Sequence, residues 1–295
     1  MQKEFTEIID RRINLENIIL RNGVEMPAVG FGTFTLKNGC KDHVLSALKM
    51  GYRLVDTAAS YFNEMDVGAA IKESGIPREQ LFITTKLWIQ DEGFESTFKA
   101  FDASLKNLGL EYLDMYLIHQ PFGDCFGSWR AMEKLLKEGY VRAIGVSNFA
   151  PERVVDLALN SEIPPMMDQI EVHPYFAQQS AIKEIRSMGC EVQAWGPLCE
   201  GQKEIFTDPV LTKIANAHGV TTAQVALKWN LQNGIAVIPR SSQEQHRHDN
   251  IDLDDFTLTD NEMAEIAKLD QGFSEIINYH CTNTAKKLIN CKIHD

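Results

Sequence analysis

Short apolar, β-branched runs recur along the chain at Val29–Phe34, Tyr52–Val55, Leu81–Thr85, Leu113–Ile118, Val141–Val146, Met167–Val172, Glu191–Trp195 and Ile235–Ile238. Between them lie stretches with apolar positions at helical spacing: His43–Met50, Met65–Ser74, Glu95–Leu108, Ser128–Glu138, Pro151–Leu159, Gln179–Met188, Thr221–Leu231 and a last one after Ser242. Strands alternating with helices imply parallel βαβ units, because a parallel neighbour is reached only through a long crossover. Eight such units match a closed (β/α)8 TIM barrel of the α/β class rather than an open sheet. Ahead of them, Asn17–Leu20 and Glu25–Val29 flank Asn22-Gly23, two residues that tolerate positive φ, which predicts an N-terminal β-hairpin. Thr221 with Gln224 and Thr259 with Glu262 fit the capping-box pattern, Ser242-Gln243-Glu244-Gln245 resembles one, and Pro151 suits a first helical position. No short repeat, low-complexity segment or linker interrupts the pattern. It predicts a polar N-terminal extension over residues 1–14, then one domain over residues 15–295 ending in a loop or tail at the barrel mouth.

Composition narrows the partners more than the fold. The chain has 295 residues, 44% hydrophobic and 24% charged, values of an ordinary globular protein with a large core. A net charge of −12 argues against nucleic acid or an acidic membrane as partner. Six scattered cysteines without a CxxC pair suggest free thiols in a reducing compartment. No apolar segment resembles a signal peptide or a bilayer span, so the expected location is cytoplasmic. A monomer or weak homodimer acting on a small molecule is the expected state.

The predicted strand ends carry the chemistry. In barrels of this kind the site is built at the carboxyl ends of the strands. The second strand ends in Asp56, the third in Lys86, the fourth in His119 and the fifth in Ser147-Asn148. The sixth carries Gln169, the seventh ends in Trp195-Gly196-Pro197, and the eighth in Arg240-Ser241. Each alone has a bland explanation: a capping aspartate, a surface lysine, a core histidine, a tryptophan plug. Together they place a polar or aromatic group on one rim from seven consecutive strands. Tyr61, brought back by the loop after Asp56, is a proton donor whose ordinary pKa near 10 is high for transfer at neutral pH. A neighbouring Lys86 ammonium would lower it, with Asp56 holding the lysine charged. His119 can donate to an oxygen that becomes negative in the transition state. An acid without a nucleophile fits protonation of a carbonyl oxygen while hydride reaches carbon, and hydride requires a cofactor. Trp195 offers a flat face for a nicotinamide ring, and Ser147, Asn148 and Gln169 groups for its carboxamide.

These residues resemble the aldo-keto reductase family from about Leu15 to His294. The resemblance rests on Gly30-Phe31-Gly32-Thr33, Asp56-Thr57-Ala58-Ala59-Ser60-Tyr61, Lys86, Asp114-Met115-Tyr116-Leu117-Ile118-His119, Gly145-Val146-Ser147-Asn148-Phe149 and Ile238-Pro239-Arg240-Ser241, in family order. His119-Gln120-Pro121, Ala194-Trp195-Gly196-Pro197-Leu198 and the short connection from Trp195 to a helix near Thr207 are similar to the bacterial-type reductases of 2,5-diketogluconate and glyoxals. The resemblance implies a catalytic tetrad of Asp56, Tyr61, Lys86 and His119. It implies a cofactor site of Gly32, Thr33, Asp56, Ser147, Asn148, Gln169, Trp195, Gly196, Pro197 and Leu198, with Arg240, Ser241, Ser242, His246, Asp249 and Asn250 at the adenosine end. NADPH is the expected cofactor, NADH a weaker one. Phe34, Trp88, His119 and Phe122, with Phe62 beside them, are candidates for the substrate wall. The chain departs from the family in having Arg240 where lysine is usual, His246 where arginine is usual, and Gln120 where tryptophan is frequent. A histidine holds its charge only toward acid pH, so the NADPH preference is expected to narrow as pH rises.

The expected activity is reduction of small aldehydes and ketones, α-dicarbonyls and keto-sugars to alcohols. The competing class is a non-catalytic, cofactor-binding barrel serving as a regulatory or structural subunit, since fold alone does not set function. A Rossmann fingerprint is not supported, because Gly30-Phe31-Gly32 lacks the third glycine. His246-Arg247-His248 reads as a solvated helix face rather than a metal site, and Cys125 and Cys199 as incidental exposed loop thiols.

Overall fold

The computed structural model describes residues 17–36, 38–274 and 276–295. The predicted extension over residues 1–14 lies outside the described residues. The chain begins with the hairpin, β1 (Asn17–Ile19) against β2 (Glu25–Pro27), antiparallel with Asn17 opposite Pro27. Gly23 turns it with φ at +83°, a conformation open to glycine without a Cβ penalty. The hairpin lies across the amino ends of the barrel strands, where the Asn22 amide donates to the Arg142 carbonyl (2.9 Å) and Met26 is buried.

Eight parallel strands follow: β3 (Gly30–Gly32), β4 (Leu54–Asp56), β5 (Phe82–Leu87), β6 (Leu113–Ile118), β7 (Val141–Ser147), β8 (Met167–Glu171), β9 (Glu191–Trp195) and β10 (Ala236–Val237). Each pairs with the next in sequence. The ring closes where Val29 bridges Val237, with the Val237 amide donating to the Ala28 carbonyl at 2.8 Å and the Gly32 amide to the Pro239 carbonyl at 3.2 Å. Leu113–Ile118 is buried at every position because a barrel strand is covered on both faces.

The helices are α1 (Cys40–Lys49), α2 (Glu64–Ser74), α3 (Phe94–Leu108), α4 (Cys125–Lys137), α5 (Pro151–Leu159), α6 (Gln179–Ser187), α7 (Pro209–His218), α8 (Thr222–Gln232), α9 (Glu244–Ile251), α10 (Asp260–Ala267) and α11 (Thr282–Ile289). Both predicted threonine capping boxes form, Thr221 with Gln224 and Thr259 with Glu262. Three expectations are corrected. Helix α4 starts before Ser128, because the Asp124 side chain accepts from the Gly127 amide (2.9 Å) and caps it. The Ser242 box does not form: α9 starts at Glu244, and Ser241 Oγ instead accepts from the Gln243 amide (3.0 Å). Cys125 and Cys199 are buried rather than exposed, and burial pushes their thiols up to about 12 and about 11.

Candidate active site

Asp56 is the last residue of β4, and its side chain enters the barrel. A single helical turn, Ala59–Tyr61, then brings Tyr61 back over it. Buried Asn63 fixes this loop by donating to the Thr33 carbonyl (2.9 Å) and accepting from the Thr57 hydroxyl (2.7 Å). Lys86, on β5, donates to Asp56 Oδ1 at 2.5 Å and to the Thr57 carbonyl at 2.9 Å, and its ammonium lies 3.5 Å from the Tyr61 hydroxyl. A buried ion pair costs desolvation of both charges and is weak evidence of a stability role, whereas an active site has use for it. His119 follows β6, its ring edge-on to Tyr61 at 5.5 Å and to Trp88 at 5.3 Å, with Nδ1 3.3 Å from the Ser60 hydroxyl. The four tetrad candidates thus meet at one point on the rim.

The electrostatics correct one expectation. Tyr61 keeps part of its ring accessible while its hydroxyl lies enclosed at the floor of the mouth. Burial, with Asp56 and then Tyr279 and Glu200 nearby, pushes its pKa well above the usual 10. Burial and the Asp56 charge outweigh the attraction of the Lys86 ammonium, so the expected net lowering does not appear. Lys86 itself is pulled down by burial, against the opposing charge of Asp56. Burial and then Lys86 hold His119 well below the usual histidine range, so the imidazole is neutral. The tautomer in which Ser60 donates to Nδ1 leaves Nε2–H as a donor toward the mouth.

The nicotinamide-end candidates form one hydrogen-bonded chain. Asn148, held at φ +64°, donates to the His119 carbonyl (3.0 Å) and to Ser147 Oγ (3.1 Å), and accepts from the Trp195 indole (2.7 Å). Ser147 in turn donates to the Gln169 carbonyl (2.8 Å). Gly32 and Thr33 sit at the seam, where a Cβ on Gly32 would stand 2.6 Å from the Ile238 carbonyl. Gly196, Pro197 and Leu198 lead away from Trp195 along the rim.

The far end is looser. Arg240 is exposed and donates to Thr35 Oγ1 (2.7 Å), Ser242 and His246 are exposed, and Ser241 and Asn250 are buried. Asp249 accepts from Gln245 (2.7 Å). Arg247 does not take the place of His246: it is buried against α1, donating to Ser46 Oγ (2.9 Å) and the Ser241 carbonyl (3.3 Å).

Of the aromatic candidates, the structure brings Trp88 and Phe34 to the tetrad, Phe34 lying 5.0 Å from the Tyr61 ring. Phe62 is 70% exposed and points outward, and Phe122 is half-buried in the loop entering α4. Sequence reasoning missed the C-terminal contribution. The Trp88 indole donates to the Cys291 carbonyl at 2.7 Å, and Gln90 exchanges bonds with Ile293 and His294 (both 2.8 Å). Tyr279 lies beside Gln120 and near Tyr61. No local pattern announces contacts across 203 residues of sequence.

Comparison with known proteins agrees with this geometry. The family model described as Aldo/keto reductase family matches residues 28–271. A glyoxal reductase of Bacillus subtilis (strain 168) is 46% identical over 259 residues, covering 87% of this chain and 93% of that protein. An aldo-keto reductase enzyme from a Medee basin deep-sea metagenome library superposes with a TM-score of 0.86 at 40% identity, covering 89% of this chain and 100% of that one. The Bombyx mori aldo-keto reductase solved in complex with NADP superposes with a TM-score of 0.84 at 35% identity, covering 89% and 95%. Fold, rim chemistry and sequence likeness over most of the chain converge on one conclusion: this chain is an oxidoreductase that belongs to the aldo/keto reductase family.

Proposed function

We propose that the protein reduces small aldehydes and ketones, α-dicarbonyls and keto-sugars to alcohols with NADPH, Tyr61 serving as general acid. The observation that carries this reading is the Tyr61 hydroxyl, 3.5 Å from a Lys86 ammonium that Asp56 grips at 2.5 Å. The likeness to a glyoxal reductase and to a reductase solved with NADP supports the substrate class and the cofactor.

The residues present fit a nicotinamide. Asn148 pins the edge of the Trp195 indole, which is half-buried and so leaves part of its surface accessible for a ring to lie against. When bound, the cofactor supplies hydride to the carbonyl carbon. The protein's own residues do the rest. His119 Nε2–H and the Tyr61 hydroxyl converge on the carbonyl oxygen and orient it. Tyr61 gives that oxygen its proton as negative charge develops. Lys86 stabilises the tyrosinate left behind, and Asp56 keeps the lysine charged despite its burial.

Tyr61→Phe is expected to lower kcat by roughly 10²- to 10⁴-fold, the usual worth of a positioned acid, while Kd for the cofactor is unchanged. Near wild-type kcat would remove Tyr61 from that role. For the adenosine end, exposed Arg240 and His246 are proposed to meet the 2′-phosphate, so His246→Arg should widen the ratio of NADH to NADPH Kd. An unchanged ratio takes His246 out of that site.

A further inference from the structure

A second polar tier lies inside the barrel beneath the tetrad. Asp56 Oδ1 is taken by Lys86, and Oδ2 accepts from Gln169 Nε2 at 2.8 Å. The same amide nitrogen also donates to Gln193 Oε1 at 2.7 Å. Gln169 and Gln193 are register partners on β8 and β9, and Gln193 is 1% exposed. The Gln193 amide nitrogen faces Met26 Sδ of the hairpin at 3.9 Å, a weak acceptor. Chemistry fixes the orientation of the set. An ionised carboxylate only accepts, so the Gln169 amide must turn its nitrogen to Asp56, and its second N–H then needs an acceptor in a dry interior.

We propose that Gln193 is a positioning residue for the carbonyl reduction: by accepting the second amide proton of Gln169 it keeps Gln169 on Asp56, and through Asp56 it keeps Lys86 in place beside Tyr61. The terminal torsion of a glutamine is soft. Without an oxygen on residue 193, the Gln169 amide turns toward the mouth and leaves Asp56 Oδ2 unpartnered, where an unmet charged acceptor is most costly. The tier also commits both Gln169 N–H groups inward, so only its oxygen is left for a ligand.

This inference rests on the reading of Tyr61 as the acid, and its test separates the two. Gln193→Met keeps the length and removes the oxygen. It should lower kcat roughly ten-fold, the scale of a lost hydrogen bond to a charged group. KM for the carbonyl should stay within about two-fold, because the substrate does not touch residue 193. With Lys86 less firmly held, the alkaline fall of kcat should arrive at lower pH. Gln193→Glu, carrying a neutral buried carboxyl, restores an oxygen of the same reach and should keep kcat within about three-fold of wild type at pH 6. If Gln193→Met does not fold, Gln193→Asn replaces it, since it draws the oxygen back by one methylene. Wild-type kcat with an unmoved alkaline limb in the oxygen-lacking or shortened variant overturns the proposal. So does Gln193→Glu falling as far as that variant, for then the acceptor is not what matters. Tyr61→Phe assayed alongside tells the two failures apart. If it loses activity while Gln193→Met does not, only the relay falls; if it stays active, the acid assignment falls as well.

Discussion

Tyr61 and Lys86 are burdened by the same burial with opposite outcomes: it holds the phenol protonated and pulls the ammonium toward losing its proton. Because the raised pKa keeps the acid loaded, and His119 stays neutral throughout, kcat/KM for reduction should be flat from about pH 6 to pH 9. A single ionisation near pH 7 in that profile would contradict the arrangement. Asp168, next to Gln169 on β8, faces away from the barrel axis and is fully buried with both oxygens unpartnered. Burial pushes its carboxyl well above the usual 3.8, and the nearby Phe149 amide offsets this only in part. A raised folded-state pKa gives its full stability below pH 3.8 and loses it as pH climbs toward the folded value. Asp168→Asn should therefore stabilise the protein by about 1–3 kcal/mol at pH 8 and by much less near pH 4. Urea melts at the two pH values check this, and a pH-independent difference refutes it.

At the scale of elements, the C-terminal segment is the informative one. Gln90→Leu removes the acceptor for the Ile293 amide and the donor to the His294 carbonyl, both at 2.8 Å. It should loosen the tail and free the Trp88 indole from Cys291. The readouts are a shifted tryptophan emission and a KM for apolar carbonyls raised by roughly five-fold, the worth of about one hydrogen bond, at unchanged kcat. An unmoved KM would show that the tail does not hold the pocket wall. The barrel helices were legible because each buries one stripe against the strands, and that burial writes a period into the sequence. Helix α11 is only eight residues long and buries none of them fully, so its short apolar face of Ala285, Leu288 and Ile289 does not stand out from a tail. The last strand was expected over Ile235–Ile238 but spans only Ala236–Val237. Its outer isoleucines are apolar because they are buried in the core, and core burial alone does not make a ladder. Tetrad positions were legible because strand ends are fixed by the same alternation. Gln193 was not, since a polar residue inside a strand declares its partner only in three dimensions.

Across the whole molecule, the barrel is a ring with one thin joint. β10 contributes two residues, and among the described residues the closure rests on the Val29–Val237 bridge and the Gly32–Pro239 hydrogen bond. Gly32→Ala would push a methyl against the Ile238 carbonyl, 2.6 Å away, on a backbone that cannot swing aside. The expected loss is about 1–3 kcal/mol, measurable by denaturant melting, and an unchanged midpoint would mean that the seam has slack.

The same joint has a consequence in time as well as in energy. Amide protons of Gly32 and Val237 depend on opening at the seam alone, so they should exchange with solvent faster than those of β5, β6 and β7, held on both sides by neighbouring strands. Gly32 and Thr33 lie on one bank of the joint, Arg240 and Ser241 on the other. A dinucleotide held by both banks would act as a staple, slowing exchange there first and leaving the opposite wall of the barrel almost untouched.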